Sequence, residues 1–268
     1  MPGLAMSVDD LLRRAPDLVC IASSTSSHLG LLRDLAARPP KLILCEKPIG
    51  GGGEEIEAAV RALRRSGVVV AVNYPRRWLA ALSAWCRSAL AGEYGRPLSA
   101  TVQYGKGLRN NGSHAVNLLL ACLGEGEIRI LQVDNVIDDG APGDPTASVF
   151  FVLAGNHGDV PVWLQGVSAL KQTIFTVEIL FERSRIRVED SDGIMARLDL
   201  QAPVAVSGYA SELRPAETVR DLPPRLFGDV WRNLADVLDG AAVPACDADD
   251  ALATARMVRQ LSSAVALQ

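Results

Sequence analysis

Three short apolar runs, spaced by two helical segments, constrain this chain more than any other feature of it. Residues 17–23 (Asp-Leu-Val-Cys-Ile-Ala-Ser), 42–45 (Leu-Ile-Leu-Cys) and 68–74 (Val-Val-Val-Ala-Val-Asn-Tyr) offer apolar side chains to both faces, as strands do when a sheet is covered on both sides. Residues 28–37 and 54–65 read as helices between them. The first is entered through Ser24, Thr25, Ser26 and Ser27, whose hydroxyls suit a helix start. Pro39-Pro40 breaks the chain before the second run. Upstream, Ser7 with Asp10 forms a capping box for a short helix that Pro16 ends. The order βαβαβ, with crossovers of this size, gives a parallel sheet with right-handed connections, half of a doubly wound fold.

The character of the chain changes after residue 76. A helical pattern runs to about residue 91, Gly92-Glu93-Tyr94-Gly95 turns the chain, and residues 98–104 read as a strand. Residues 128–137, 147–153, 160–167, 176–181 and 185–188 read as further strands joined by turns, which predicts a largely antiparallel sheet. Residues 113–123, 227–238 and 247–267 are helical. The expected architecture is α/β: a partial Rossmann (βαβαβ) domain over residues 1–76, then an α+β domain over residues 77–268. The second domain has a mainly antiparallel open sheet with helices on one face.

Composition narrows the function classes. With 268 residues and 49% hydrophobic side chains the chain builds a sizeable core. The net charge is -4 and the basic residues are dispersed, so no stripe exists to bind a nucleic-acid backbone. No apolar run reaches the roughly 20 residues of a membrane span, and no secretory signal opens the chain, which points to the cytoplasm. The five cysteines and three histidines are scattered without metal-ligand spacing, so free thiols and no metal site are expected.

The candidate chemistry begins where the second run ends in Glu46-Lys47-Pro48, at the carboxyl end of a parallel strand, where open α/β sheets place ligands. Gly50 to Gly53 stand where a phosphate-binding turn would, but Glu55 occupies the third glycine position, and Glu54 and Glu55 would repel a phosphate, which favours a plain βα loop. Among the histidines, His157 lies in turn chemistry and His28 caps a helix or fills a turn. His114 opens an apolar helix behind Asn-Asn-Gly-Ser and is either structural or catalytic. Arg76-Arg77 open another helix, where cations are unfavourable, so a binding role stands beside a solvated one.

Several segments together resemble the Gfo/Idh/MocA oxidoreductases, relatives of glucose-fructose oxidoreductase and inositol dehydrogenase. They are Ile-Ala-Ser-Ser-Thr-Ser-Ser-His (21–28), Cys-Glu-Lys-Pro (45–48), Val-Asn-Tyr-Pro-Arg-Arg-Trp (72–78), Gly-Glu-Tyr-Gly (92–95) and Asn-Asn-Gly-Ser-His (110–114), in the order and spacing of that family. The resemblance implies a dinucleotide-binding domain followed by an α+β domain whose sheet makes homo- or hetero-oligomer contacts. It implies NAD or NADP as cofactor, with Ser23, Ser24, Thr25, Glu46, Lys47, Pro48, Asn73 and Arg76 around it. A polyol, sugar or related hydroxy or keto compound would meet Lys47, Arg77, Asn110, Asn111 and His114. Of these, Lys47, His114 and Asn110 would be catalytic: an imidazole moves the hydroxyl proton, and a cation beside the same oxygen stabilises the developing alkoxide. Relatives carry Asp at the position of Asn110, and an amide can orient a substrate but not relay a proton.

The resemblance also sets an expectation of absence. The family's first strand, its G-x-G-x-x-G turn and the ribose-binding acid have no counterpart in this sequence, so the isolated chain is expected to lack a pyrophosphate site. Besides an oxidoreductase whose nucleotide half is missing, the sequence leaves open two alternatives. One is a cofactor-free pseudoenzyme or subunit partnering an intact paralogue. The other is a lyase, isomerase or glycosidase using the same cleft.

Overall fold

The computed structural model describes residues 7–51, 53–168, 174–189, 193–200, 212–220 and 222–267, with backbone alone for 222–227. Its first unit holds α1 (Val8–Leu12), β1 (Leu18–Ile21), α2 (Thr25–Ala37), β2 (Leu42–Glu46), α3 (Glu54–Arg65) and β3 (Val69–Asn73). Ser7 caps α1 by accepting the Asp10 amide at 3.1 Å. The three strands form a parallel sheet in the order β1-β2-β3, with Leu18 opposite Leu42 and Glu46 opposite Asn73. The predicted βαβαβ order is the one observed.

Alternation along β2 divides its side chains between two layers. Ile43 and Cys45 pack with Leu32 and Leu35 of α2 and with Val60 and Leu63 of α3. Leu42 and Leu44 face the other way. There they meet Val230 and Leu234 of α6 (Leu222–Leu238), a helix far along the chain. The last helix, α7 (Ala248–Val265), begins with a reciprocal Asp247–Asp250 capping box. Its Ala251 and Leu252 pack against the small sheet, and its Met257 and Leu261 join the other core. α7 therefore joins both cores, while α6 docks on the parallel sheet although it follows the strands of the second one.

The second sheet has eight strands in the order β11-β10-β9-β8-β4-β7-β6-β5. These are β4 (Pro97–Tyr104), β5 (Gly126–Ile137), β6 (Thr146–Gly155), β7 (Gly158–Gly166), β8 (Phe175–Phe181), β9 (Ser184–Glu189), β10 (Ile194–Leu200) and β11 (Leu213–Val219). Only the β4–β7 pair is parallel. Phe175, Val177, Ile179 and Phe181 of β8 point inward to α4 (Ala80–Leu90) and α5 (Ser113–Leu123), while Trp163 on the opposite face is 45% exposed. β10 and β11 went unrecognised because most of their residues lie at the surface and no clean alternation results. Pro215 sits in β11, the edge strand, where a missing amide breaks no inner ladder.

The helix expected from residue 76 is two pieces, a 3-10 turn at Pro75–Trp78 and α4, separated by an extended Leu79. The break sends Trp78 into the core under α6 and Leu79 into the core of the large sheet. Cys45, Cys86, Cys122 and Cys246 are buried free thiols, and Cys20 is exposed. Among the described residues no helix is long and apolar enough to cross a membrane.

Leu234 is 1% exposed against β2. Leu234→Ala should cost about 2–5 kcal/mol, read as a lowered urea midpoint, with faster hydrogen exchange at Leu42 and Leu44. An unchanged midpoint would contradict the docking of α6 on the small sheet.

Candidate active site

The site forms where two separately built frames meet. One is the C-terminal edge of the small sheet, where Glu46 ends β2 and the cis Lys47–Pro48 peptide follows. The other is a π-helical turn, Gly107–Gly112, that leads into α5. Across the gap Lys47 Nζ donates to Asn110 Oδ1 at 2.7 Å and to the Asn110 carbonyl at 3.1 Å. The contact joins residues 63 apart in sequence.

The turn owes its shape to Asp144, a buried residue between β5 and β6. Its carboxylate accepts the Arg109 amide at 2.7 Å and the Asn110 amide at 2.9 Å. Gly107 has φ +92°, and a Cβ there would lie 2.3 Å from Asp144 Oδ2, so only glycine fits. Nothing in the sequence marked Asp144. It stands 34 residues from Asn110 in an irregular loop, and only the close approach of that loop gives it a role.

His114 lies in the first turn of α5, four residues beyond Asn110. Its ring meets Tyr74 edge-on, with centroids 5.4 Å apart, and Phe175 at 6.5 Å. His114 as a whole is half-buried. Burial, then the charges of Arg76 and Lys47, hold its pKa well below the ordinary value, so it stays neutral near pH 7. Lys47 is also lowered, by burial first and by Arg76, against the opposing pull of Glu46 and Asp144. Arg76 stacks on Phe175, its guanidinium carbon 3.7 Å from the ring centre.

The remaining predicted residues divide. Glu46 Oε1 accepts Asn73 Nδ2 at 2.7 Å, which fixes both at neighbouring strand ends. Ser23 pairs with Ser27 at 2.6 Å and Ser24 with Ser26 at 3.1 Å, in the exposed loop between β1 and α2 that Thr25 closes. Asn111 donates to the Ile174 carbonyl at 3.4 Å, beside β8. Arg77 is not brought to this group: its side chain is 14% exposed and its guanidinium pairs with Asp250 of α7 at 3.1 Å. His28 has the structural role expected of it, but between two loops rather than within one. It is fully buried, with Nδ1 3.0 Å from the Pro48 carbonyl and Nε2 3.1 Å from the Ser23 carbonyl, and so ties together the loops after β1 and β2. Tyr74 and Phe175, which wall His114, belong to apolar runs that the sequence marks only as core.

Comparison with known proteins bears on the fold that carries this site. Residues 3–74 match the Gfo/Idh/MocA family model, an oxidoreductase family with an NAD-binding Rossmann fold. A curated 1,5-anhydro-D-fructose reductase from Ensifer adhaerens is 37% identical over 97 residues, which is 36% of this chain and 29% of that protein. Solved structures share the fold across almost the whole chain. A UDP-N-acetylglucosamine 3-dehydrogenase from Acidithiobacillus ferrooxidans superposes with a TM-score of 0.73 at 15% identity, covering 97% of this chain and 81% of that one. The WlbA dehydrogenase from Bordetella pertussis, solved with NADH and UDP-GlcNAcA, gives 0.66 at 20% identity, covering 94% and 78%. Residues 3–74 thus carry the signature of the Gfo/Idh/MocA oxidoreductase family, and the chain as a whole has the two-sheet fold of those dehydrogenase structures.

Proposed function

We propose that the chain acts in NAD(P)-linked oxidation or reduction of a sugar, polyol or related hydroxy or keto compound. The observation that carries this reading is the convergence of Lys47, Asn110 and a neutral His114 at the carboxyl end of β2. The curated relative's name, a reductase of 1,5-anhydro-D-fructose, supports a small carbohydrate as substrate. The outer face of the large sheet, with Trp163 exposed, is the surface we assign to oligomer contacts.

The strand ends fit the nicotinamide half of a dinucleotide: Ser23 and Thr25 offer hydroxyls, and Glu46 offers a carboxylate held in place by Asn73. The glycine turn after β2 does not fit a pyrophosphate. It runs into a helix whose first turn carries Glu54, Glu55 and Glu57, and Gly52 lies outside the described residues. When bound, the nicotinamide supplies or accepts the hydride. In the oxidative direction the neutral His114 takes the hydroxyl proton, and the Lys47 ammonium stabilises the negative charge growing on that oxygen. Asn110, held by Asp144, fixes the lysine and orients the substrate without relaying a proton.

The acidic start of α3 also favours a second reading, in which the same lysine and histidine catalyse a lyase or isomerase reaction without a dinucleotide. Turnover of a sugar with no nicotinamide present would select it.

The first test follows reduced nicotinamide during incubation with 1,5-anhydro-D-fructose and a panel of aldoses and ketoses. Lys47→Ala should lower kcat/KM about 10²–10³-fold and His114→Ala about 10²–10⁴-fold. Neither binding nor oxidation of NADH or NADPH would remove the reading for this chain by itself. The second test uses stability. The folded state binds no proton on His114 where the unfolded chain does, so stability falls as pH drops below about 6.5 and levels off below the folded pKa. His114→Gln should therefore lose less melting temperature than the wild type between about pH 7 and 5.

A further inference from the structure

Beside the Lys47–Asn110 contact lies a cavity of about 490 Å³, within the range of small-molecule sites. Thr25, Gly50 and Tyr74 line it from the loops behind β1, β2 and β3, and α7 closes it with Arg259 and Ser262. Arg109 enters from the π-helical turn. Its walls thus come from the carboxyl ends of all three parallel strands, the place where such sheets hold ligands.

The charge of the lining is one-sided. Arg109 and Arg259 both line the cavity, and no carboxylate does among the described residues. Neither arginine forms an ion pair among the described residues, whereas nearby Arg256, on the same helix as Arg259, pairs with Glu57 and Glu125. Two acids of α3 are engaged elsewhere: Glu55 pairs with Arg33, and Glu57 with Arg61 and Arg256. Two arginines in one lining, with no carboxylate among the described lining residues, give a cationic wall that a planar bidentate anion would complement.

Polar groups in the walls add to this. Thr25 is the first residue of α2, a helix with no acid in its first turn and no side-chain bond from its N-cap, so the positive end of its dipole faces no local counter-charge. Tyr74 Oη and Ser262 Oγ are both buried. Ser113 Oγ gives its own proton to the Asn110 carbonyl, 2.9 Å away, and keeps lone pairs to accept from the Tyr74 hydroxyl, which leaves Ser262 Oγ as the wall hydroxyl with no protein partner among the described residues.

We propose that this cavity binds the anionic group, phosphate or carboxylate, of a small hydroxylated molecule, with Arg109 and Arg259 as its grip. Pro48, Arg109 and Ser113 line it and are the chain neighbours of Lys47, Asn110 and His114, so a molecule anchored there extends toward those groups. Taken with the proposed reaction, and resting on it, the cavity makes a sugar phosphate or sugar acid the substrate rather than a neutral polyol. The anion site itself does not depend on that reaction.

Isothermal titration of the full chain with glucose 6-phosphate, gluconate and neutral glucose tests this without turnover. One or both acidic probes should bind saturably and glucose should not, and the stronger of the two identifies phosphate or carboxylate as the preferred anion. Arg109→Gln and Arg259→Gln should each weaken binding at least about tenfold, and Arg65→Gln, an exposed arginine outside the cavity, should leave it unchanged. Equal binding of glucose, no saturable binding of either acid, or wild-type affinity in both cavity variants would overturn the proposal. Competition by ADP-ribose, which lacks the nicotinamide that Thr25 would meet, would overturn it too, by assigning the cavity to the phosphates of the dinucleotide. Arginine-dependent binding together with no hydride transfer would refute the reaction and leave the anion site standing.

Discussion

The double-sided burial of β2 is the constraint on which the rest depends. Its ladder is bonded to β1 and β3, its Ile43 and Cys45 are packed under α2 and α3, and its Leu42 and Leu44 are packed under α6. A strand held on four sides has no freedom to slip, because a shift of one residue would exchange its two apolar faces. The direction in which the chain leaves it, through Glu46 and Lys47, is thereby set by packing rather than by the loop. The buried His28 reinforces the exit by holding the Pro48 carbonyl against the loop that follows β1.

Against that fixed edge, the large sheet supplies the other half of the site. Asp144 and Gly107 shape the turn carrying Asn110, and Phe175 of β8 supports both Arg76 and the His114 ring. The electrostatics follow from this enclosure. Three cationic or potentially cationic groups, Lys47, Arg76 and His114, share a poorly solvated space with Glu46 and Asp144. The group that gives up its proton most readily is the imidazole, whose reference pKa is lowest. The result is a neutral imidazole beside a lysine that Glu46 and Asp144 help keep charged.

Much of this was legible in the residues. The doubly apolar runs gave the parallel sheet, the turn-linked strands gave the antiparallel one, and Lys47, Asn110 and His114, placed by resemblance to a family, are the residues that converge. Arg77 looked equivalent to Arg76 because the two are adjacent. A 3-10 turn points the neighbours apart, so one stacks on Phe175 and the other pairs with Asp250. The docking of α6 on the small sheet was also invisible, since an amphipathic pattern shows that a helix has an apolar face and not what that face covers.

The sequence by itself determined the element types and their order, because periods of two and 3.6 residues are local properties of the chain. It also determined which acid, base and amide were available. Tertiary structure alone decided that Asp144 shapes the Asn110 turn, that His114 is desolvated and held neutral, and that Arg109 and Arg259 line one cavity with no acid among its described lining residues. Each of these is a contact or an exclusion of water across long stretches of chain, and burial and charge pairing exist only once the two sheets and α7 are packed together.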